Sequence, residues 1–133
     1  ARAVQLGTVN PYALYRWATL EWRATRGSAM EPIEQALARA VELNPLFAAA
    51  HASLAESRAV LKRPSISIVP HMQKAVALEP SNPWHRLAGS RVLARLGAPE
   101  EARKAAESPL KLADDDPAAR AEAERVLATL GGK

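Results

Sequence analysis

The chain has 133 residues and a formal charge of +4, and 48% of its residues are apolar, with alanine the largest share and aromatics few. Charged residues at 24% beside ample Leu and Val exclude a disordered chain. Strand formers are too sparse for a sandwich or barrel, and no apolar run approaches the roughly 18 residues of a membrane span. The length suits one domain. Cysteine is absent, which removes disulfides, thiolate catalysis and Cys-ligated zinc. Ten prolines would each cost about 3 kcal/mol inside a helix, so in a helical chain they mark boundaries.

Taken in order, the elements are helical. Arg2-Ala3-Val4-Gln5-Leu6 reads as the last turn of a helix whose partner precedes it, so the chain is expected to be a piece of a longer protein. Asn10-Pro11 opens a helix over 11–26: Asn caps the free N–H groups and Pro occupies the first turn, where no N–H is needed. Glu31-Pro32 opens a second helix over 31–43, with Ile33, Leu37, Ala40 and Val41 on one stripe. Asn44-Pro45 leads into a third over 46–62. The fourth, over 66–79, begins with a β-branched run and carries Pro70, which predicts a late start near Val69 or a kink. Its stripe is Ile68, Met72, Ala75 and Val76. Asn82-Pro83 opens a fifth over 83–96. Ala98-Pro99-Glu100-Glu101 opens a sixth over 99–112, with acids favouring the dipole in its first turn and Pro109 expected to spoil its end. Asp116-Pro117 opens a seventh over 117–130.

Two signals recur at a fixed period. Arg39-Ala40-Val41-Glu42-Leu43 and Lys74-Ala75-Val76-Ala77-Leu78 repeat the pattern of residues 2–6. The Asn/Asp-Pro pairs at 10, 44, 82 and 116 lie about 34, 38 and 34 residues apart, within the range of helical repeats. Leu6 to Tyr12 aligns without a gap on Leu78 to Trp84. The expectation is an all-α chain of about seven helices.

On these residues the sequence resembles the tetratricopeptide repeat (TPR) family, whose unit is a helix A–turn–helix B of 34 residues. Trp17, Leu20, Ile33, Leu37, Ala40 and Pro45 match its pattern in the first unit. Leu54-Ala55, Ile68, Met72, Ala75 and Pro80 match in the second, and Gly97 and Ala102 in the third. Glu21 takes the small-residue position of the first unit, and the Tyr of helix A is missing throughout. The resemblance implies a right-handed α-solenoid of antiparallel helix pairs. Residues 1–9 would be the tail of a preceding repeat, 10–45, 46–80 and 81–115 three repeats, and 116–130 a capping helix of the kind solenoid ends need.

The same resemblance implies a protein–protein interaction scaffold whose A helices line a concave groove for a partner peptide or helix. In that register the groove residues are Tyr15, Trp22 and Arg26 in the first unit, Glu56 in the second, and Trp84, Arg91 and Arg95 in the third. Aromatics and Arg are enriched at binding hot spots. Arg26, Arg91 and Arg95 would form a basic stripe suited to an acidic partner segment. The Lys/Asn carboxylate clamp of some TPR domains is not present, because those positions hold Ala18, Trp22, Ser53, Trp84 and Ala88. The alternative is a regulatory or structural appendage of a larger enzyme whose catalytic domain lies outside this chain.

Catalytic signals are weak. His51, His71 and His85 form no HExxH spacing, although His51 and His85, one repeat apart, would face each other across adjacent A helices. Asp114-Asp115-Asp116 reads as a capping linker rather than a metal site. Ser28, Ser53 and Ser90 have no neighbouring base and no nucleophile elbow. No enzyme activity, metal or cofactor is expected. The interspersed charges make nucleic acid an unlikely partner. The Ala/Arg-rich usage suggests a bacterial source, hence a soluble protein of the cytoplasm or periplasm.

Overall fold

The computed structural model describes residues 10–112 and 116–131, and every regular element among them is helical. The order is α1 (Pro11–Thr25), α2 (Met30–Leu43), α3 (Ala48–Val60), a 3-10 turn at Ser65–Ser67, α4 (Val69–Leu78), α5 (Pro83–Arg95), α6 (Pro99–Leu112) and α7 (Pro117–Gly131). None is long and apolar enough to cross a membrane. Each helix packs on its neighbours in the chain, and α3 also packs on α5 and α5 on α7. The expectations for residues 1–9, Asp114 and Asp115 fall outside the described residues.

Three helix starts follow the Asx-Pro signal. Asn10 Oδ1 accepts from the N–H groups of Tyr12 (2.9 Å) and Ala13 (3.2 Å). Asn82 Oδ1 accepts from Trp84 N–H at 2.9 Å, and Asp116 Oδ1 from Ala119 N–H at 3.1 Å. An Asn-to-Ala exchange at a cap costs about 1 kcal/mol. Asn82→Ala is therefore expected to lower the free energy of unfolding by that amount, read as a lower denaturant midpoint with an unchanged m-value.

Asn44 departs from this rule. It closes α2, its backbone N–H bonding Ala40 O, and its side chain accepts from Leu46 N–H at 3.1 Å in a local turn. Phe47 then takes the cap position of α3, without a side-chain hydrogen bond. The turn consumes Asn44 and Pro45, so α3 starts at Ala48 rather than at 46. The ring of Phe47 packs on Tyr12 and Tyr15, with centroids 4.8 and 5.0 Å apart. Apolar contact, rather than a capping side chain, anchors the start of α3.

The prolines that conflicted with helix are resolved differently. Pro70 stands in the first turn of α4, which starts at Val69 after the 3-10 turn. There a missing N–H costs no intrahelical bond. Pro109 does not end α6, which runs on to Leu112.

The core is a chain of small clusters. Leu14 and Ala18 of α1, the stripe Ile33, Leu37, Ala40 and Val41 of α2, and Ala50 and Leu54 of α3 form the first. Ala55, Ala59, Ile68 and Val92 join α3, α4 and α5. Ala52, Ala75 and Ala88 make a second contact among the same three helices. Leu87, Ala119 and Ala123 join α5 to α7. On the expected stripe of α4, Ile68 and Ala75 are buried, whereas Met72 and Val76 are half-buried. The alanines have a mechanical role: α3 buries eight of its 13 residues, five of them alanine, because small side chains let neighbours approach on several sides.

Candidate interaction face

The face built by the odd helices begins with α1. Tyr15 and Trp22 stand on it, half-buried and packed against the first core cluster. With Ser53 and Glu56 of α3 they line an open cavity of about 330 Å³. Trp22, Glu56 and Arg91 follow one another at 34 and 35 residues on α1, α3 and α5, about one helical repeat, and Glu122 of α7 stands beside Arg91. Three of them are joined by charge. Arg91 donates through Nε to Glu56 Oε2 (2.6 Å) and through Nη2 to Glu56 Oε1 (3.3 Å), a two-pronged contact. Its Nη1 reaches Glu122 Oε2 at 3.3 Å, and Glu122 in turn accepts from Arg125.

Beyond this ladder a second cavity of about 320 Å³ opens between α5 and α7. Ala94, Val126 and Leu130 supply apolar walls, and Arg91, Arg95 and Arg125 surround Glu122 at its rim. Arg95 is exposed and makes no ion pair with a described residue. The rim therefore carries more positive than negative charge.

Five of the seven expected groove residues thus line these two cavities: Tyr15, Trp22, Glu56, Arg91 and Arg95. Two do not. Arg26 lies one residue past the end of α1, with φ 53°. It is exposed there, because the chain turns left-handed through it into Gly27 (φ 81°). Trp84 sits at the mouth of α5, 39% exposed, and its Nε1–H donates to Asp116 Oδ2 at 3.0 Å. The expected basic stripe is likewise corrected. Arg91 is neutralised by two glutamates, so Arg95 and Arg125 carry the positive character of this face.

The Trp84–Asp116 bond has a counterpart. Asn44 Nδ2 donates to Tyr12 Oη at 3.0 Å. In both cases the aromatic after an Asx-Pro pair bonds an Asx side chain 32 residues later. The aligned segments Leu6 to Tyr12 and Leu78 to Trp84 contained this signal, but the partner needed the fold. Leu46, in the turn between them, cannot make such a bond and is 70% exposed.

On other faces, charge serves structure. Glu34 of α2 accepts from Arg58 Nε (3.0 Å) and Arg63 Nη2 (2.9 Å). Burial pushes the Glu34 carboxyl up, but the two guanidinium groups outweigh it and hold the carboxyl below its ordinary range. His85 does not face His51. Its Nε2–H donates to Glu79 Oε1 at 2.7 Å, which together with Asn82 depresses the Glu79 carboxyl. His51 contacts His71 instead, at 2.9 Å. The His51–His85 pairing fails because each ring finds a nearer partner beside its own helix.

Glu122 and Arg125 went unrecognised in the sequence, where they read as polar residues of a capping helix. Only the packing of α7 on α5 places them beside Arg91. Neither a family model nor a curated protein matches this sequence.

Proposed function

We propose that this chain is a TPR-like interaction module whose odd-helix face receives a segment of a partner protein. One observation carries the reading: two open cavities flank the Glu56–Arg91–Glu122 ladder on a single face. Helical arrays use such continuous faces for extended or helical partners. The cavity between α5 and α7 selects a chemistry. Its apolar walls suit a branched or aromatic side chain, and Arg95 and Arg125 suit a carboxylate beside it. The partner segment is therefore acidic with an apolar anchor.

Arg95 is the clean probe, since reversing Arg91 would also break the ladder. Affinity capture from a lysate of the source is expected to recover a partner with the wild-type chain. Arg95→Glu should reduce its recovery by roughly tenfold, the scale of one lost charge-assisted contact. A Trp22→Ala variant should weaken capture through the other cavity. Undiminished capture by both variants would move the binding surface elsewhere.

A further inference from the structure

The seam between α3 and α4 holds two imidazoles in direct contact. His51 is buried on α3, and His71 is half-buried in the first turn of α4. Their Nδ1 atoms lie 2.9 Å apart, with ring centroids at 5.1 Å and planes 25° apart. The nitrogens are far closer than the centroids, so the rings meet edge to edge. His51 Nε2 lies 2.7 Å from the Pro45 carbonyl oxygen. A carbonyl only accepts, so that nitrogen carries a proton. In neutral His51 the Nδ1 is then a bare acceptor. The contact requires His71 to carry its own proton on Nδ1 and donate it. Both tautomers follow from the carbonyl of Pro45.

The pair can absorb one further proton. Cationic His51 would donate at both nitrogens, and His71 would shift its proton to Nε2 and accept at Nδ1. A second added proton has no such solution. Both Nδ1 atoms would bear hydrogens aimed at each other, between two like charges.

The surroundings oppose added positive charge. Of the elements around the cavity, α2 contributes Glu42, α3 Arg58 and α4 His71 itself. Lys74 of α4 also acts on His51. α5 brings no charged group to this cavity. Glu42 is exposed and spends its charge on Arg39, and Arg58 is engaged by Glu34. Burial is the first cause holding both rings below the ordinary histidine range. Lys74 adds to this for His51, and the charge on His51 and on Arg58 for His71. The same positive field, with the one bare Nδ1 facing the N–H of the other ring rather than a common third point, makes the site one for a proton and not for a metal ion.

Among the described residues this is the only side-chain hydrogen bond between α3 and α4. α4 is the shortest α-helix, with 10 residues and Ala75 alone fully buried within it. We propose that His51 and His71 form an acid-operated latch, closed while the two rings carry at most one positive charge and opened by a second, which frees α4 from α3. Because both groups favour the neutral form on folding, this stabilisation is complete above the ordinary histidine value of about 6.5. It is lost as pH falls through the lowered values of the folded state. Glu34 and Glu79, held below the ordinary carboxylate range, stay charged in that window.

The test uses the chain itself. Imidazole 15N spectra at neutral pH should show His51 protonated on Nε2 and His71 on Nδ1; the opposite assignment overturns the proposal. Amide exchange, corrected for intrinsic rates, should show α4 losing protection relative to α2 by roughly tenfold or more between about pH 7.5 and about pH 5, one pKa unit being a factor of ten. In His71→Asn the amide N–H can still donate to His51 Nδ1 but does not titrate. That variant should lose most of the acid response. Equal acid responses in wild type and variant would overturn the latch. If the variant does not fold, the wild-type tautomers and the selective loss of α4 protection still decide.

Discussion

Leu87→Ala is expected to lower the free energy of unfolding by about 2–5 kcal/mol, the range for truncating a fully buried leucine. It is also expected to release α7 ahead of the rest. Leu87 is fully buried on α5, and among the described residues the buried cluster that joins α5 to α7 consists of this side chain and two alanines, Ala119 and Ala123. Among the described residues no other large buried side chain shares that cluster, and the alanine methyl groups cannot reach into the space left by truncation. The Arg91–Glu122 and Trp84–Asp116 contacts would remain, but both sit near the surface. Exposed pairs contribute about 0–1 kcal/mol. Chemical denaturation measures the magnitude. Amide exchange tests the order: in the variant, α7 should exchange by local opening while α2 and α3 keep their protection. Uniform loss of protection along the chain would show that α7 is not held by Leu87.

Glu34→Gln is expected to cost about 1–3 kcal/mol, the scale of charged hydrogen bonds lost at a largely buried site. The Glu34 side chain is 13% exposed and Arg58 21%. Arg58 also donates to the Ser67 carbonyl at 2.9 Å, so the link runs from α2 through α3 to the turn before α4. Without the carboxylate, Arg58 keeps its burial and loses its counter-charge. The sign of the pH effect follows from the depressed carboxyl. Its contribution is present above the ordinary glutamate value of about 4.3 and is lost as pH falls through the folded-state value. Thermal unfolding between about pH 6 and about pH 3 should therefore be steeper for the wild type than for the variant. Parallel curves would place the acid response elsewhere.

Much of this architecture was legible in the residues, and its failures are instructive. Asn10, Asn82 and Asp116 each announce a helix because a capping side chain and a following proline act within four residues. Pro70 announced the late start of α4 for the same local reason. Asn44-Pro45 carries the same two letters but closes the preceding helix. Local chemistry favours a cap there, yet packing of Phe47 against Tyr12 and Tyr15 sets where α3 begins. Measured on the true starts, Asn10, Phe47, Asn82 and Asp116, the unit length still recurs. The face proposed for interaction was half legible. Tyr15, Trp22, Glu56, Arg91 and Arg95, expected from their position within a repeat, line its two cavities. Position does not reveal that Arg91 is spent on Glu56 and Glu122, or that the chain turns away at Arg26. The two histidine partnerships were invisible, because His51 with His71 and His85 with Glu79 depend on side-chain rotamers and not on spacing along a helix.

The division of the core into local clusters also bears on how the chain is made. The clusters join residues of two or three consecutive helices, or of α5 and α7, so no strand waits for a distant partner and the main packing among the described residues stays between near neighbours. Closing such short loops costs little entropy, and chains dominated by near-sequence contacts fold fast. The cluster of α1, α2 and α3 can close once residue 60 has left the ribosome, before α5 has emerged. The chain is thus suited to fold from its first helices onward during synthesis, each added helix finding a finished surface to rest on.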